Sequence, residues 1–181
     1  MNADVSALIL AGGKATRFGG IAKHLVVVEG ETIFARQVTV LAPRVAEILV
    51  SSATDIDGYR TVRDAVADVG PLAGIAAGLA AASSPWLLVV AGDMPYLDGA
   101  LIDRMVQHAN NDVDAVGVRV GDLPEPLFCL LHTRVVAAIE RRLVARRFKA
   151  SGLLTDEGLR VRWIDDADPR SFRNVNSPED L

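Results

Sequence analysis

The sequence predicts an α/β fold of three layers, in which a mostly parallel β-sheet lies between two layers of helices. Three observations predict it. Short apolar runs with the length of buried strands alternate with segments of helical period, which is typical of βαβ units. Glycine-containing turns follow the first and the third of these runs. The composition, 50% apolar and 23% charged, is that of an ordered globular chain. The length allows a single domain, 1–181, with a substantial core.

The strand candidates are apolar runs of five or six residues bounded by polar or turn-forming residues. In chain order they are Val5–Leu10, Glu47–Ser51, Leu87–Ala91, Ala115–Val120, Leu127–Leu131 and Arg160–Ile164. Helical period fills the intervals, and Gly70-Pro71 opens the second helix because proline suits a first helical turn. The helix candidates are Thr32–Leu41, Leu72–Ala82, Leu101–Ala109 and Val135–Ala145. Parallel sheets of this kind bind ligands beyond the carboxyl ends of their strands.

Charge and composition exclude several classes of protein. The net charge of −4 provides no general basic field for nucleic acid or an acidic membrane. The N-terminus lacks the basic and long apolar regions of a secretory signal, and no apolar stretch approaches the roughly 18 residues of a membrane span. Cys129 is the single cysteine, which excludes an internal disulfide and a zinc cluster, and the three histidines are scattered. We expect a cytoplasmic protein that binds neither nucleic acid nor membrane.

The first strand leads into a segment, 11–23, with the features of a phosphate-binding loop. It contains the glycine pairs Gly12-Gly13 and Gly19-Gly20 and the cations Lys14, Arg17 and Lys23. Adjacent glycines let a ligand approach the main chain, and bare N–H groups beside cations suit a triphosphate. The alternative is an ordinary strand-to-helix turn with solvated cations. The spacing matches neither the P-loop nor the dinucleotide pattern Gly-x-Gly-x-x-Gly.

A second turn, Gly92-Asp93-Met94-Pro95, follows the third strand candidate. It places the carboxylate of Asp93 at the carboxyl edge of the predicted sheet. Such a carboxylate is suited to Mg²⁺, a hard cation that prefers oxygen ligands and is shared with phosphate oxygens. The alternative role for Asp93 is that of a helix or turn cap.

Two weaker signals lie elsewhere in the chain. Asp64 precedes Gly70-Pro71-Leu-Ala-Gly and either contacts a base or ribose or is simply solvated. Asn174 and Asn176 alternate along an extended C-terminal segment. Their amides are suited to a cation or a phosphate, or to local turn hydrogen bonds.

Together these segments resemble the molybdenum cofactor guanylyltransferase family over the range 7–181. The glycine-rich loop and Gly-Asp-Met-Pro are similar to those of nucleotidyltransferases in general. The Gly-Pro-Leu-Ala-Gly and Phe-Arg-Asn-Val-Asn-Ser-Pro-Glu-Asp-Leu segments are similar to those of this family. The resemblance implies a Rossmann-like fold of the nucleotide-diphospho-sugar transferase type. It also implies transfer of GMP from Mg²⁺-GTP to molybdopterin with release of pyrophosphate, and proteins of molybdoenzyme maturation as candidate partners.

The resemblance also implies roles for single residues. Leu10, Ala11, Gly12 and Gly13 would hold the nucleotide through the main chain, Lys23 would contact its phosphates with help from Arg17, and Asp93 would bind Mg²⁺. Ser51 and Asp64 would contact the nucleotide, and Asn174 and Asn176 would lie near the metal and the acceptor. The nucleotide would occupy the half over about 1–108, and the acceptor the half over about 109–181.

The chain departs from the family pattern at Ala22, at the short loop Asp68-Val69-Gly70 and at Glu125, where the family commonly has histidine. The last departure falls on the acceptor side. The alternatives that stay open are a related transferase that uses CTP or another acceptor, a non-catalytic nucleotide-binding module, and an adaptor that delivers cofactor.

Overall fold

A computed structural model describes residues 2–12, 23–63, 70–175 and 180. Within these residues the chain forms a seven-stranded sheet and a two-stranded hairpin. The strands are β1 (Asn2–Leu10), β2 (Val27–Val28), β3 (Glu31–Thr32), β4 (Val45–Ser51), β5 (Arg60–Val62), β6 (Trp86–Ala91), β7 (Ala115–Val120), β8 (Leu123–His132) and β9 (Val161–Ile164). The helices are α1 (Ile33–Leu41), α2 (Pro71–Ala81), α3 (Gly99–Gln107), α4 (Val136–Val144) and α5 (Leu153–Asp156).

The large sheet has the strand order β5-β4-β1-β6-β8-β7-β9. The pairs β5-β4, β4-β1, β1-β6 and β7-β9 are parallel, and β8 is antiparallel to both of its neighbours. The prediction of a mostly parallel sheet is therefore confirmed. One sheet contains strands from both sides of residue 108, and the division of the domain into two halves there stays a prediction.

The helices cover both faces of the sheet, as the three-layer prediction required. Alternate strand residues enter two separate cores because successive side chains point to opposite faces. Ala7, Ile9 and Val90 pack in the core that holds Leu41 of α1 and the buried apolar residues of α3. Leu8 and Val89 pack in the core that holds those of α2, α4 and α5.

Several predicted element boundaries are wrong. β1 begins at Asn2 and not at Val5, and α3 begins at Gly99 because Asp98 caps it by accepting a hydrogen bond from the Ala100 N–H at 2.8 Å. The strands β2, β3 and β5, and helix α5, were missed because each has only two to four residues, too few to show a strand or helix period.

Strand β8 is twice as long as the predicted Leu127–Leu131. The added residues include Pro124 and Pro126, which cannot donate a ladder hydrogen bond. They are tolerated because the pairing with β6 ends at Phe128, and the start of β8 has only β7 beside it. In the described part of the chain, no helix combines the length and hydropathy needed to cross a membrane.

Candidate active site at the carboxyl edge of the sheet

The carboxyl ends of four parallel strands lie side by side. Leu10 at the end of β1 is in register with Ser51 of β4 on one side and with Ala91 of β6 on the other. Ser51 is in turn in register with Val62 of β5. The turn at Gly12 and the turn at Asp93, which lie far apart in the sequence, are therefore neighbours at one edge.

These two turns are joined through their main chains. The Ala11 N–H donates to the carbonyl oxygen of Ser51 at 2.9 Å, and the Gly92 N–H donates to the carbonyl oxygen of Leu10 at 3.0 Å. A Cβ atom on Gly92 would lie 2.6 Å from that same Leu10 oxygen, so only glycine fits here. At Gly12, which is exposed, the nearest atom of the described residues to a Cβ would be the Ser51 oxygen at 3.9 Å.

Hydrogen bonds from three residues hold the turn that bears Asp93. The buried Gln37 amide donates to the carbonyl oxygens of Ala91 at 2.7 Å and Met94 at 3.0 Å. Arg36 Nε donates to the carbonyl oxygen of Pro95 at 3.1 Å. The Val175 N–H donates to the carbonyl oxygen of Asp93 at 2.9 Å.

The last of these contacts brings the C-terminal segment to the site. Val175 is buried with Val26, Val28 and Ile33, which anchors the extended chain beside Asp93. Asn174 is exposed and directly precedes this anchor. Asn174 is therefore one residue from the contact with Asp93, and its proximity to a metal and an acceptor stays a prediction.

The residues at this edge fit a divalent cation shared with a ligand. Asp93 is only partly exposed, and its carboxylate is a hard oxygen donor of the kind that Mg²⁺ prefers. The described residues contain no group of three or more His, Cys, Asp or Glu side chains able to hold a metal. A cation at Asp93 would thus take most of its other ligands from phosphate oxygens and water, which is the usual pattern for Mg²⁺ in phosphoryl-transfer sites.

The backbone of Lys23 lies in a 3₁₀ turn, Lys23–Leu25, that contacts the first loop. The neighbouring His24 is buried and forms a hydrogen bond with the backbone of Ala11, while burial lowers its pKa below the ordinary value. This contact places the main chain of residue 23 beside Leu10-Ala11-Gly12.

Some predicted site residues have no described geometry. Gly13, Arg17, Asp64 and Asn176 lie outside the described residues, and the same holds for the side chain of Lys23. Ser51 is described and buried at the end of β4, directly beside Leu10. The nucleotide-contact and catalytic roles assigned to all of these residues stay predictions.

The structure shows a cationic cavity that the sequence analysis missed. A cavity of about 570 Å³ is lined by Pro124 at the start of β8 and by the chain that follows α4. Its cationic lining residues are Arg142, Arg146, Arg147 and Lys149. In the sequence, the cluster of cations in the segment Arg146-Arg-Phe-Lys149 is the only local indication of this cavity. This cavity lies beside the start of α2, because a Cβ atom on Gly70, which precedes α2, would lie 3.8 Å from the carbonyl oxygen of Phe148, one of its lining residues.

The charges in this cavity are only partly balanced. Arg142 is buried and pairs with Glu157 at 2.9 Å and with Asp156 at 3.5 Å, and Arg147 pairs with the same two carboxylates. Arg146 and Lys149 have no ion pair with any described residue. The cavity therefore carries excess positive charge and is suited to an anionic group.

Glu125, the departure on the acceptor side, lies on β8 between Pro124 and Pro126. It is partly buried, and this burial raises the pKa of its carboxyl group above the ordinary value. Cys129 lies further along the same strand, fully buried, and burial raises the pKa of its thiol to about 12. A buried thiol with so high a pKa is inert as a nucleophile near neutral pH.

Comparison with known proteins agrees with this geometry. Residues 7–162 match the model of the MobA-like NTP transferase domain. The chain is 35% identical over 180 residues to the molybdenum cofactor guanylyltransferase of Pseudomonas putida strain GB-1, covering 96% of this chain and 94% of the relative. It is 32% identical to the protein of the same name from Vibrio atlanticus, over 98% of this chain and 94% of the relative.

Solved structures share the fold. Molybdopterin-guanine dinucleotide biosynthesis protein A from Archaeoglobus fulgidus superposes with a TM-score of 0.78 at 22% identity, over 97% of this chain and 94% of that one. The 2-C-methyl-D-erythritol 4-phosphate cytidylyltransferase of Thermus thermophilus superposes with a TM-score of 0.72 at 21% identity, over 98% of this chain and 95% of that one. The nucleotide-diphospho-sugar transferase type of fold is therefore confirmed, and so is the assignment as a nucleotidyltransferase. Because the identity to the curated relatives exceeds 30% over almost the whole chain, this protein belongs to the molybdenum cofactor guanylyltransferase family.

Proposed function

We propose that this protein transfers GMP from GTP to the phosphate of molybdopterin and releases pyrophosphate. The observation that carries the proposal is the junction of Leu10-Ala11-Gly12 with the Asp93 turn at one sheet edge, in a chain that matches named guanylyltransferases along its length. The junction offers an open main chain for a triphosphate and a carboxylate for a cation within one site.

The nucleotide is proposed to bind across the carboxyl ends of β1 and β4. The main chain of Gly12 is exposed, and the hydrogen bond from the neighbouring Ala11 N–H to Ser51 fixes the start of the loop beside β4. Lys23 and Arg17 are proposed to neutralise the triphosphate, and Ser51, Gly13 and Asp64 to contact the nucleotide. Because the net charge of −4 gives the chain no general attraction for an anion, the triphosphate must be held by local cations of this kind.

The reaction is an in-line displacement at the α-phosphorus of GTP. An oxygen of the molybdopterin phosphate forms the new P–O bond, and the bond to the bridging oxygen of pyrophosphate breaks with its electron pair. A phosphate monoester is already ionised near neutral pH, so this chain needs no strong general base. Its residues position the two phosphates and offset their charge.

Mg²⁺ is the proposed metal, held by Asp93, with Asn174 and Asn176 nearby, and it would supply electrostatic stabilisation of the phosphate oxygens. Gln37 and Val175 hold the turn that bears this carboxylate. The acceptor is proposed to lie on the side of β8, with its anionic group attracted by Arg146 and Lys149.

A CTP-dependent transfer is the second candidate, because one of the structural neighbours is a cytidylyltransferase. Cytoplasmic location and association with molybdoenzyme-maturation proteins are further parts of the proposal. A non-catalytic nucleotide-binding module or a cofactor-delivery adaptor is disfavoured by the presence of both Lys23 and Asp93 in the loop motifs.

Pyrophosphate release in the presence of Mg²⁺ tests the proposal. GTP, CTP, ATP and UTP are each supplied with and without molybdopterin. We expect release that needs both GTP and molybdopterin, at a rate at least ten times that with any other nucleotide. Faster release with CTP would replace the guanine assignment, and binding of nucleotides without any release would favour the non-catalytic module.

A further inference from the structure

We propose that Gln37 is a positioning residue that sets the cation affinity of Asp93 by clamping the turn between Ala91 and Met94. The inference rests on the proposed function, because it takes Asp93 to be the residue that holds the cation. No feature of the sequence assigned a role to Gln37, which lies 56 positions from Asp93.

The environment of Gln37 is unusual for an amide. The residue lies in the middle of α1, on the face that also bears Ile33 and Leu41, and all three side chains are fully buried. An apolar residue at position 37 would pack on this buried face without the desolvation of a polar group. Burying an amide that forms no hydrogen bonds is unfavourable, so the presence of Gln37 here points to a specific partner.

The partner is the turn itself. Gln37 Nε2 donates to the carbonyl oxygen of Ala91, the last residue of β6, at 2.7 Å. It donates its second hydrogen to the carbonyl oxygen of Met94, the residue after Asp93, at 3.0 Å. One nitrogen therefore fixes the two ends of the short span that carries Gly92 and Asp93.

The two carbonyl oxygens beside Nε2 fix the orientation of the Gln37 amide and leave its oxygen, Oε1, on the other side. Gln37 Oε1 is buried and has no hydrogen-bond partner among the described residues. A reversed amide would direct this oxygen at two carbonyl oxygens, which repel it. The side chain thus gives up a hydrogen bond at Oε1 and keeps the two that hold the turn.

The clamp acts on the direction of the Asp93 side chain. The Met94 N–H also donates to the Ala91 oxygen, but at 3.4 Å, which is a long hydrogen bond that holds the turn weakly by itself. Without Gln37 the backbone angles of Gly92 and Asp93 have more freedom. A cation held by Asp93 is sensitive to this loss, because the described residues contain no group of three or more His, Cys, Asp or Glu side chains that would fix it independently of this turn.

The test compares Gln37→Met, which keeps the length of the side chain and removes both hydrogen bonds, with Leu41→Val as the matched control. Leu41 is buried on the same face of α1 but packs in the sheet core and has no contact with the turn through hydrogen bonds. The first measurement is Mn²⁺ binding by electron paramagnetic resonance with GTP present and no acceptor. The second is the Mg²⁺ concentration that gives half-maximal pyrophosphate release, together with the melting temperature.

We expect Gln37→Met to weaken Mn²⁺ binding and raise the half-maximal Mg²⁺ concentration by about tenfold, whereas Leu41→Val lowers only the melting temperature. A Gln37→Met protein with wild-type cation binding would overturn the inference, whatever its melting temperature. If that variant does not fold, Gln37→Leu takes its place under the same criteria. Wild-type protein that neither binds Mn²⁺ with GTP nor releases pyrophosphate would instead contradict the proposed function.

Discussion

Gly92 is the residue at which the proposed site tolerates the least change. A Cβ atom there would overlap the Leu10 carbonyl oxygen at 2.6 Å and approach Ala11 Cα at 3.2 Å, and neither backbone atom can move without disturbing β1. We predict that Gly92→Ala lowers the free energy of unfolding by about 1–3 kcal/mol, as in other overpacked sites. Chemical denaturation measures this loss.

Gly12→Ala provides the comparison, because no atom of the described residues would lie closer than 3.9 Å to the added methyl group. It should leave the free energy of unfolding within about 0.5 kcal/mol of wild type, the range typical of surface substitutions. Equal losses in the two variants would show that the close approach of the two turns is not what constrains Gly92.

Asp93→Asn separates a metal ligand from a turn cap. Asparagine keeps the size of the side chain and one oxygen but loses the charge that holds a hard cation. Asn and Asp are almost equal as caps, so a capping role would survive the change. We predict a loss of pyrophosphate release of at least a hundredfold at ordinary Mg²⁺, with an unchanged circular dichroism melt. Near wild-type turnover would remove Asp93 from the proposed mechanism.

Glu125→Gln tests whether burial of the Glu125 carboxyl group makes stability depend on pH. Burial raises the pKa of Glu125 above 4.5, so the folded protein binds this proton more tightly than the unfolded chain does. The ionised carboxylate therefore lowers stability once the pH exceeds 4.5, and the loss is complete above the folded pKa.

We predict that Glu125→Gln melts at a higher temperature than wild type at pH 7–8, and that the difference disappears below about pH 4.5. Melting curves of both proteins across this range measure it. A difference that does not change with pH would show that the charge of Glu125 is not desolvated.

The residues of the site were predictable only where a local pattern marks them. Gly12 and Asp93 follow apolar runs directly, and such turns are visible in the sequence. Gln37 was not predictable, because its hydrogen bonds reach across 54 and 57 positions and its neighbours in α1 are ordinary helix residues. Arg146 and Lys149 were missed because cations at the end of a helix are usually solvated.

At the scale of elements, one charged cluster joins β7, β9 and the turn before α4. Asp114 accepts hydrogen bonds from the Arg160 backbone N–H at 2.9 Å, from Arg160 Nη2 at 3.0 Å and from Arg134 Nε at 2.7 Å. These contacts, chiefly those from Arg160, hold the pKa of the Asp114 carboxyl well below its usual range. The cluster lies at the amino ends of β7 and β9, on the edge opposite the proposed site.

Asp114→Asn should therefore lower stability without altering catalysis. We expect a loss of roughly 1–3 kcal/mol, the range for hydrogen bonds to charged groups. The lowered pKa contributes stability that is present above the ordinary value of 3.8 and is lost as the pH falls below it, so the two melting temperatures should converge in acid. A changed KM for GTP would contradict the separation of this cluster from the site.

The elements themselves were predictable in proportion to their apolar content. The fully buried β6 appears as a continuous apolar run, and its prediction differs from the structure by one residue. The hairpin of β2 and β3 depends on Glu29 and Gly30, both with positive φ, and has only two residues in each strand. Its position follows from packing against α1 and Val175, which no local pattern encodes.

At the scale of the whole molecule, the alternation of strands and helices was enough to predict three layers. Ligand binding at the carboxyl edge of the sheet stays a prediction. The direction of β8 was not predictable, because its apolar residues fit a parallel or an antiparallel neighbour equally well. Its reversal places Pro124 and Glu125 at the carboxyl edge of β6, and Pro124 also lines the cationic cavity. The position of this cavity is thus a consequence of tertiary structure.

Transfer of label from GTP to the acceptor tests the central claim most directly. The protein is incubated with Mg²⁺, molybdopterin and GTP labelled at the α-phosphorus, and the products are separated and identified by mass. We predict a labelled guanine dinucleotide of molybdopterin that forms only when GTP, Mg²⁺ and molybdopterin are all present. Label that stays in GTP, or transfer that occurs only from α-labelled CTP, would contradict the claim that this edge of the sheet transfers a guanylyl group.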